Sequence, residues 1–286
     1  MLFPYRQLSP AEFPALLQEI PDPPKQLYLR GSLPSDDTKL LAVVGSRKYT
    51  HYGRDACESL ITGLAGYPVS IVSGLALGMD AIAHRAALSA GIHTIAVPGS
   101  GVDDSVLYPR TNFNLGMQIL EQGGALLSEF EPTFKAKIWS FPQRTRIMAA
   151  LTHATLVIEA GEKSGTLITS RLATDYNRDV FTIPGSIFSA TSAGPHMLIK
   201  LGATPVTISA DILEALGIDT EPTVTPPGSL NLSPEETLIM DALTAPMTRE
   251  ALFAQIPLDP SQINILLTKL ELQGLLVDSG GKIRRK

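Results

Sequence analysis

Residues 141–185 read FPQRTRIMAALTHATLVIEAGEKSGTLITSRLATDYNRDVFTIPG. An aromatic residue and two arginines precede an apolar helix-forming run. Thr155–Ile158 then forms a strand segment, GEKSGT a loop of small residues, and a second helix leads to the strand Val180–Ile183 and a Pro-Gly. A strand, a helix and a second strand in that order make a crossover unit of a parallel sheet. Its polar residues collect where the strands end, the edge at which open α/β sheets bind ligands. What this stretch holds therefore decides what the protein does.

The same alternation extends upstream to Lys39. Leu41–Val44, Val69–Val72, Thr94–Val97 and Ala125–Leu127 are short apolar runs with helical stretches between them, and Pro205–Ile208 adds a weaker one downstream. Such strands lack polar alternation because helices cover both faces of a parallel sheet. The pattern predicts an α/β fold, a doubly wound parallel sheet over residues 39–218. Ahead of it, residues 1–38 hold Pro21, Pro23, Pro24 and Pro34 and one strand-like piece, Leu27–Leu29, which predicts a wrapped arm with little regular structure. After it, DTEPTVTPPGS at 219–229 has no apolar period and marks a linker.

Residues 230–286 predict a second, small domain. Ser233-Pro234-Glu235-Glu236 resembles a capped helix start ahead of Leu238, Ile239 and Leu243, and a second helix follows Thr248. A third opens at Asp259-Pro260 with Ile263, Leu266, Leu267 and Leu270 on one face, and LLVDSGGKIRR reads as two strands around a Ser-Gly-Gly turn. Three helices and a hairpin are the winged-helix arrangement. The third helix has one basic residue, Lys269, against Asp259 and Glu271, fewer donors than a groove-reading helix presents. Lys282, Arg284, Arg285 and Lys286 are placed to touch phosphates, yet the balance favours a protein-docking module.

At 286 residues the chain is long enough for one large domain and a small one. The longest apolar runs are strand-sized, and MLFPYRQLSP lacks the features of a secretory signal, which predicts a cytoplasmic protein with no membrane contact. The single cysteine, Cys57, excludes an internal disulfide framework. His51, His84, His93, His153 and His196 show no metal spacing, and no Ser-His-Asp order or nucleophile elbow occurs. The residues predict no catalytic centre, no metal site and no cofactor. The net charge of -5 counts against a polyanionic partner, but residues 39–150 carry 10 basic and 8 acidic groups while 151–229 carry 4 and 8. Local potential, not the sum, steers a polyanion.

That positive charge accompanies glycine turns. Gly45-Ser46-Arg47-Lys48 follows the first strand, Ser73-Gly74 the second and Pro98-Gly99-Ser100-Gly101 the third, all at carboxyl ends and hence on one edge. Glycines there let backbone N–H groups approach an anion beside helix N-termini. A lone glycine turn is as often a simple chain reversal as a site, and Arg47 and Lys48 favour phosphate at the first. Gly78 reads as close helix-on-strand packing, which leaves Ser73 and Gly74 as the candidates of the second loop. GEKSGT contains Lys-Ser, but no glycine stands five residues ahead of it, so it is not a P-loop. A phenylalanine before a helix is as often core as platform. Followed by Arg144 and Arg146, Phe141 fits a base-stacking surface beside phosphate contacts, the combination used for single-stranded nucleic acid.

VVGSRKYTHYG, SGLALGMDAIAHRAAL, YPRTN, LLSEFEP, FPQRTRIMAAL, VIEAGEKSGTLIT, VFTIPG and GPHMLIKLGA with a following DIL resemble, in order and spacing over roughly residues 25–215, the DprA/Smf family of bacterial DNA-processing proteins. The resemblance implies an extended Rossmann domain that binds single-stranded DNA without sequence specificity, forms a homodimer and loads the RecA recombinase in natural transformation, with no established reaction. On it, Gly45, Ser46 and Arg47 match the phosphate turn, Ser73 and Gly74 a second loop, Phe141 and Arg144 the Phe-Pro-x-Arg run, and Gly165 and Thr166 a later small-residue loop. Lys48, Gly99, Ser100 and Arg146 complete the candidate set. Leu77 departs from an arginine of the family pattern, Thr145 from an asparagine and His196 from another asparagine; the first removes a phosphate contact.

Two other readings stand beside it. A nucleotide hydrolase would resemble the cytokinin-activating phosphoribohydrolases, whose loop glutamate has Thr169 in its place here. A winged-helix regulator would read duplex DNA while the large domain senses a ligand.

Overall fold

Short β-branched and aliphatic runs form the strands of the larger unit, and turns rich in glycine and serine start the helices that follow them. The computed structural model describes residues 3–219, 233–243, 247–272, 275–279 and 281–285, which fall into two units, Met1–Pro227 and Gly228–Lys286. The first opens with β1 (Tyr5–Leu8), the single turn α1 (Ala15–Gln18) and β2 (Leu27–Gly31). Next come β3 (Lys39–Val44), α2 (His51–Thr62), β4 (Val69–Ser73), α3 (Met79–Ser89), β5 (Thr94–Ala96), α4 (Phe113–Glu121) and β6 (Ala125–Ser128). The chain continues through α5 (Ser140–Leu151), β7 (Ala154–Val157), α6 (Thr166–Asp175), β8 (Asp179–Thr182), α7 (Ala193–Lys200), β9 (Thr204–Pro205) and α8 (Ser209–Ala215).

All these strands join one sheet in the order β1-β2-β6-β5-β4-β3-β7-β8-β9. From β6 to β9 the neighbours are parallel, and β1 and β2 add antiparallel strands at one edge. The chain steps outward from β3 to β6, returns through α5 to the centre, and steps outward again from β7 to β9. Right-handed crossovers then put the helices of the two halves on opposite faces. Alternate residues of β3 record this: Leu41 and Val43 pack with Cys57, Ile61, Met79 and Ala83 of α2 and α3, whereas Leu40 and Val44 pack with Ile147, Met148 and Leu151 of α5. The winding reverses between β3 and β7, the place where such sheets leave a crevice.

The prolines of residues 1–38 mislead about regular structure. Pro21, Pro23 and Pro24 lie in the connection between β1 and β2 and Pro34 in the one after β2, and Leu27–Arg30 of β2 are all buried. Arg30 donates to the Phe3 carbonyl at 2.8 Å, the Val102 carbonyl at 3.1 Å and Asp104 Oδ1 at 2.6 Å. The last strand is shorter than Pro205–Ile208, because Asp211 takes the N–H groups of Thr207 (2.7 Å) and Ile208 (3.1 Å) to start α8.

The second unit holds α9 (Pro234–Ala242), α10 (Arg249–Phe253), α11 (Pro260–Leu272) and an antiparallel pair, β10 (Leu276–Ser279) and β11 (Lys282–Arg285). Ile239, Leu252, Ile263, Leu267, Leu270 and Ile283 form its core. Ser233 caps α9 reciprocally with Glu236. The linker from residue 220 onward, Gly280 of the expected turn and Lys286 lie outside the described residues. No helix among the described residues is long and apolar enough to cross a membrane.

Glu159, buried just after β7, ties the two halves of the sheet together at the reversal. It accepts the Thr50 N–H at 2.8 Å and the hydroxyls of Thr50 at 2.6 Å and Thr191 at 2.8 Å. Glu159→Ala strips three donors of a charged acceptor, and the expected loss is about 3 kcal/mol. Thermal denaturation should show this as a melting temperature lower by roughly 5–10 °C.

Candidate functional site

Where β3 and β7 part, the loops leave a cleft of about 580 Å³, the size of a small-molecule site. Gly45–Lys48 form one wall and Ala76, Leu77 and Asp80 the next. Ile138, Phe141, Arg144, Thr145 and Met148 come from α5 and the residues before it, and Ser164–Thr166 and Thr169 close the far side. A narrower slot continues past Arg47, Gly74 and Gly99 to Tyr108 and Phe141.

The turn after β3 is shaped by Ser46, whose Oγ accepts the Lys48 N–H at 3.0 Å and donates to the Lys48 carbonyl at 2.8 Å. Arg47 and Lys48 are left exposed. The Arg47 guanidinium lies 5.9 Å from the centroid of the half-buried Phe141 ring, and the Tyr108 ring lies 5.5 Å from it. Gly99 allows this: a Cβ there would stand 2.5 Å from the Phe141 ring. Aromatic faces beside a guanidinium suit a nucleobase and its phosphate.

Helical geometry sorts the residues of α5. Ser140 fixes its start, donating to the Gly99 carbonyl at 2.6 Å and accepting the Lys137 N–H at 3.0 Å. Phe141, Arg144, Thr145 and Met148 then share the face that lines the cleft. Arg146, two positions beyond Arg144, is about 200° around the helix. It pairs with Glu129 and donates to the Asp22 carbonyl at 2.7 Å, away from the cleft.

Arg144 is only 8% exposed, its Nη2 3.9 Å from Asp80 Oδ2. Asp80 also accepts the N–H groups of Gly74 at 3.1 Å and Ala76 at 3.3 Å. Burial pushes the Asp80 carboxyl up and the Arg144 guanidinium down, and each partner's charge opposes the shift of the other. The guanidinium fills the space above Gly74, where a Cβ would stand 1.5 Å from Nη1. Asn112 donates to the carbonyls of Leu75 (2.9 Å) and Ala76 (3.0 Å) and holds Leu75 at φ +58°, a conformation that a branched side chain rarely adopts. His84, one turn beyond Asp80, is hydrogen-bonded to Thr94 at 2.8 Å and pushed down to about 3 by burial, so it adds no positive charge at neutral pH.

The structure thus gathers Gly45, Ser46, Arg47, Lys48, Gly74, Gly99, Phe141, Arg144, Gly165 and Thr166 around one cleft and its slot. It does not bring Ser73, Ser100 or Arg146 to that surface. Ser73 Oγ donates to the Val43 carbonyl at 2.7 Å, and Ser100 Oγ donates to the Gly101 carbonyl at 3.0 Å and accepts the Tyr108 N–H at 3.2 Å; both are buried supports. Asp80, Tyr108, Asn112 and Ser140 escape a reading of the sequence. Each is placed by a partner distant along the chain, Arg144, Phe141, Leu75 and Gly99 respectively.

A family model described as DNA recombination-mediator protein A matches residues 6–217. The chain belongs to the DNA recombination-mediator protein A family. It is 42% identical over 220 residues to protein Smf of Escherichia coli K12, covering 74% of this chain and 57% of that protein, so it spans little more than half of that relative. It is 43% identical over 201 residues to the DNA processing protein DprA of Streptococcus pneumoniae, 70% of each chain. The X-ray structure of DprA from that species matches with a TM-score of 0.67 at 40% identity, over 73% of this chain and 74% of that one. The DNA processing protein A of Helicobacter pylori, studied for its single-stranded DNA binding mode, matches with a TM-score of 0.66 at 31% identity, over 75% of this chain and 96% of that one. The fold of this chain is that of the recombination-mediator family.

Gly74→Ala in this family member would drive a methyl group into the Arg144 guanidinium. The melting temperature is expected to fall by roughly 4–8 °C, the effect of a loss of about 2 kcal/mol. Gly165→Ala, whose methyl group would meet no neighbour within 4 Å, should leave the melting temperature unchanged.

Proposed function

We propose that the cleft binds single-stranded DNA without reading its sequence, and that the protein acts as a cytoplasmic homodimer which loads RecA recombinase onto the bound strand in DNA processing and natural transformation. The observation that carries this reading is the Arg47 guanidinium beside the half-buried Phe141 ring at the reversal of the sheet. Arg47 and Lys48 supply phosphate contacts, Phe141 and Tyr108 stack on any base, and Arg144 stands behind them as a buried positive charge. The H. pylori relative, with its single-stranded DNA binding mode, supports the choice of ligand.

No reaction is proposed. Thr169 lies in the cleft where a phosphoribohydrolase would need a glutamate, and the Asp80 carboxylate is committed to Arg144 and two backbone N–H groups. For the second unit, a winged-helix module that docks a protein is the better reading, because the positive charges on its helices have internal partners. Lys269 pairs with Glu236 at 2.7 Å, and Arg249 with Asp278 at 3.1 Å and Glu271 at 3.3 Å. For self-association, Ile187 and Phe188 are 80% and 93% exposed, and Met197 and Leu201 are exposed one helical turn apart. Apolar groups of that size in one segment mark an association surface.

Affinity for oligothymidylate should fall as salt rises, because cation contacts release counterions. Arg47→Ala with Phe141→Ala is expected to weaken binding about a hundredfold, from a lost stack and a lost phosphate contact, and to reduce the salt slope by about one. Unchanged affinity at moderate salt would remove this site assignment. Phe188→Asp with Leu201→Asp should sediment as a monomer with an unchanged melting temperature, and a persistent dimer would place the interface elsewhere.

A further inference from the structure

Beyond the cleft, the loop after β6 carries a second aromatic surface. Phe130 and Phe134 stack with centroids 4.6 Å apart and planes at 21°, and Trp139 packs on both, at 5.8 and 5.5 Å. Phe130 is buried, yet Trp139 remains 51% exposed. A large ring held rigidly from behind and left open in front is a platform, because little side-chain entropy remains to be lost when a second flat group covers it.

Position and charge indicate the occupant. Along the edge of the sheet, the loops after β3, β4, β5 and β6 follow one another in strand order. They carry in turn Arg47, Gly74, Gly99 with Tyr108, and the Trp139 cluster. Ile138, next to Trp139 and 90% exposed, already lines the cleft, so the platform is continuous with it. Lys135 and Lys137 are exposed on this loop, and the Lys137 Nζ lies 5.9 Å from the Phe134 ring. The nearby acids are engaged: Glu129 with Arg146, Glu131 with the Tyr28 hydroxyl at 2.8 Å, and Asp104 with Arg30 at 2.6 Å. A stacking surface flanked by lysines fits a base and its phosphate.

Resting on the proposed binding of single-stranded DNA in the cleft, we propose that Trp139 is a second base-stacking platform, which receives a nucleotide farther along the same strand. Because the sequence has one tryptophan, its fluorescence reports this ring alone. The probes are oligothymidylates of about 4 and about 16 nucleotides, which bracket the site sizes of single-strand binders. The long one should quench Trp139, and Trp139→Ala should weaken its binding about tenfold, with Trp139→Tyr restoring most of the loss and the short one insensitive to either change. Binding of the long oligonucleotide with silent tryptophan and unchanged affinity in Trp139→Ala would overturn this inference alone. Failure of both oligonucleotides to bind would overturn the function of the cleft and this inference with it. Trp139 fluorescence that responds to protein concentration without DNA would assign the surface to a second copy of the chain and overturn it as well.

Discussion

A buried charge pair, Asp80 with Arg144, joins the loop after β4 to α5 beneath the cleft. Burial disfavours the charge of each group, and the opposite charge of its partner offsets that. The carboxylate holds the Gly74–Ala76 backbone through two N–H groups, and the guanidinium occupies the room that the missing side chain of Gly74 leaves. Removing one member of such a pair strands the other charge and typically costs about 3–5 kcal/mol. The pair fixes the Gly74–Ala76 backbone against α5, while Asn112 holds Leu75 and Gly99 leaves room for Phe141.

This arrangement also separates support from contact. Buried hydroxyls of Ser73, Ser100 and Ser140 hold loops to neighbouring carbonyls, while Arg47, Lys48 and the Phe141 ring reach the open side. A polyanion in the cleft would meet exposed cations backed by a buried one, in a chain whose net charge is negative. Field is concentrated where low-dielectric walls surround the charge, so the local sign prevails over the total. Asp80, Glu129 and Glu159 of the same edge are turned inward to partners, while Arg47 and Lys48 are exposed.

Much of the fold was legible in the chain itself. Val69–Val72 and Thr94–Val97 read as strands because their apolar runs lack alternation, and the glycine turns after them marked the edge where the cleft and its slot lie. The reading failed where pairing partners are distant along the chain. Residues 5–8 become a strand because the strand-like piece at 27–29, lengthened to Leu27–Gly31, joins β6 and offers them a further antiparallel edge. Arg144 and Arg146 look equivalent in FPQRTR, but a helix turns them to opposite sides, one to the cleft and one to Glu129.

Hydrophobic periodicity and turn residues are local properties, so the sequence by itself determined the α/β class, the order of strands and helices, and the loops that meet at one edge. The family resemblance lay in those same contiguous blocks. Only the tertiary structure decided which polar residues face the cleft and which are supports. That choice depends on which side of a helix meets the sheet reversal and on which buried donors find acceptors across it. Asp80 and Tyr108 gain their places from contacts with α5 across the edge and Trp139 from the rings of Phe130 and Phe134 in its own loop, and no periodicity along the chain encodes those contacts.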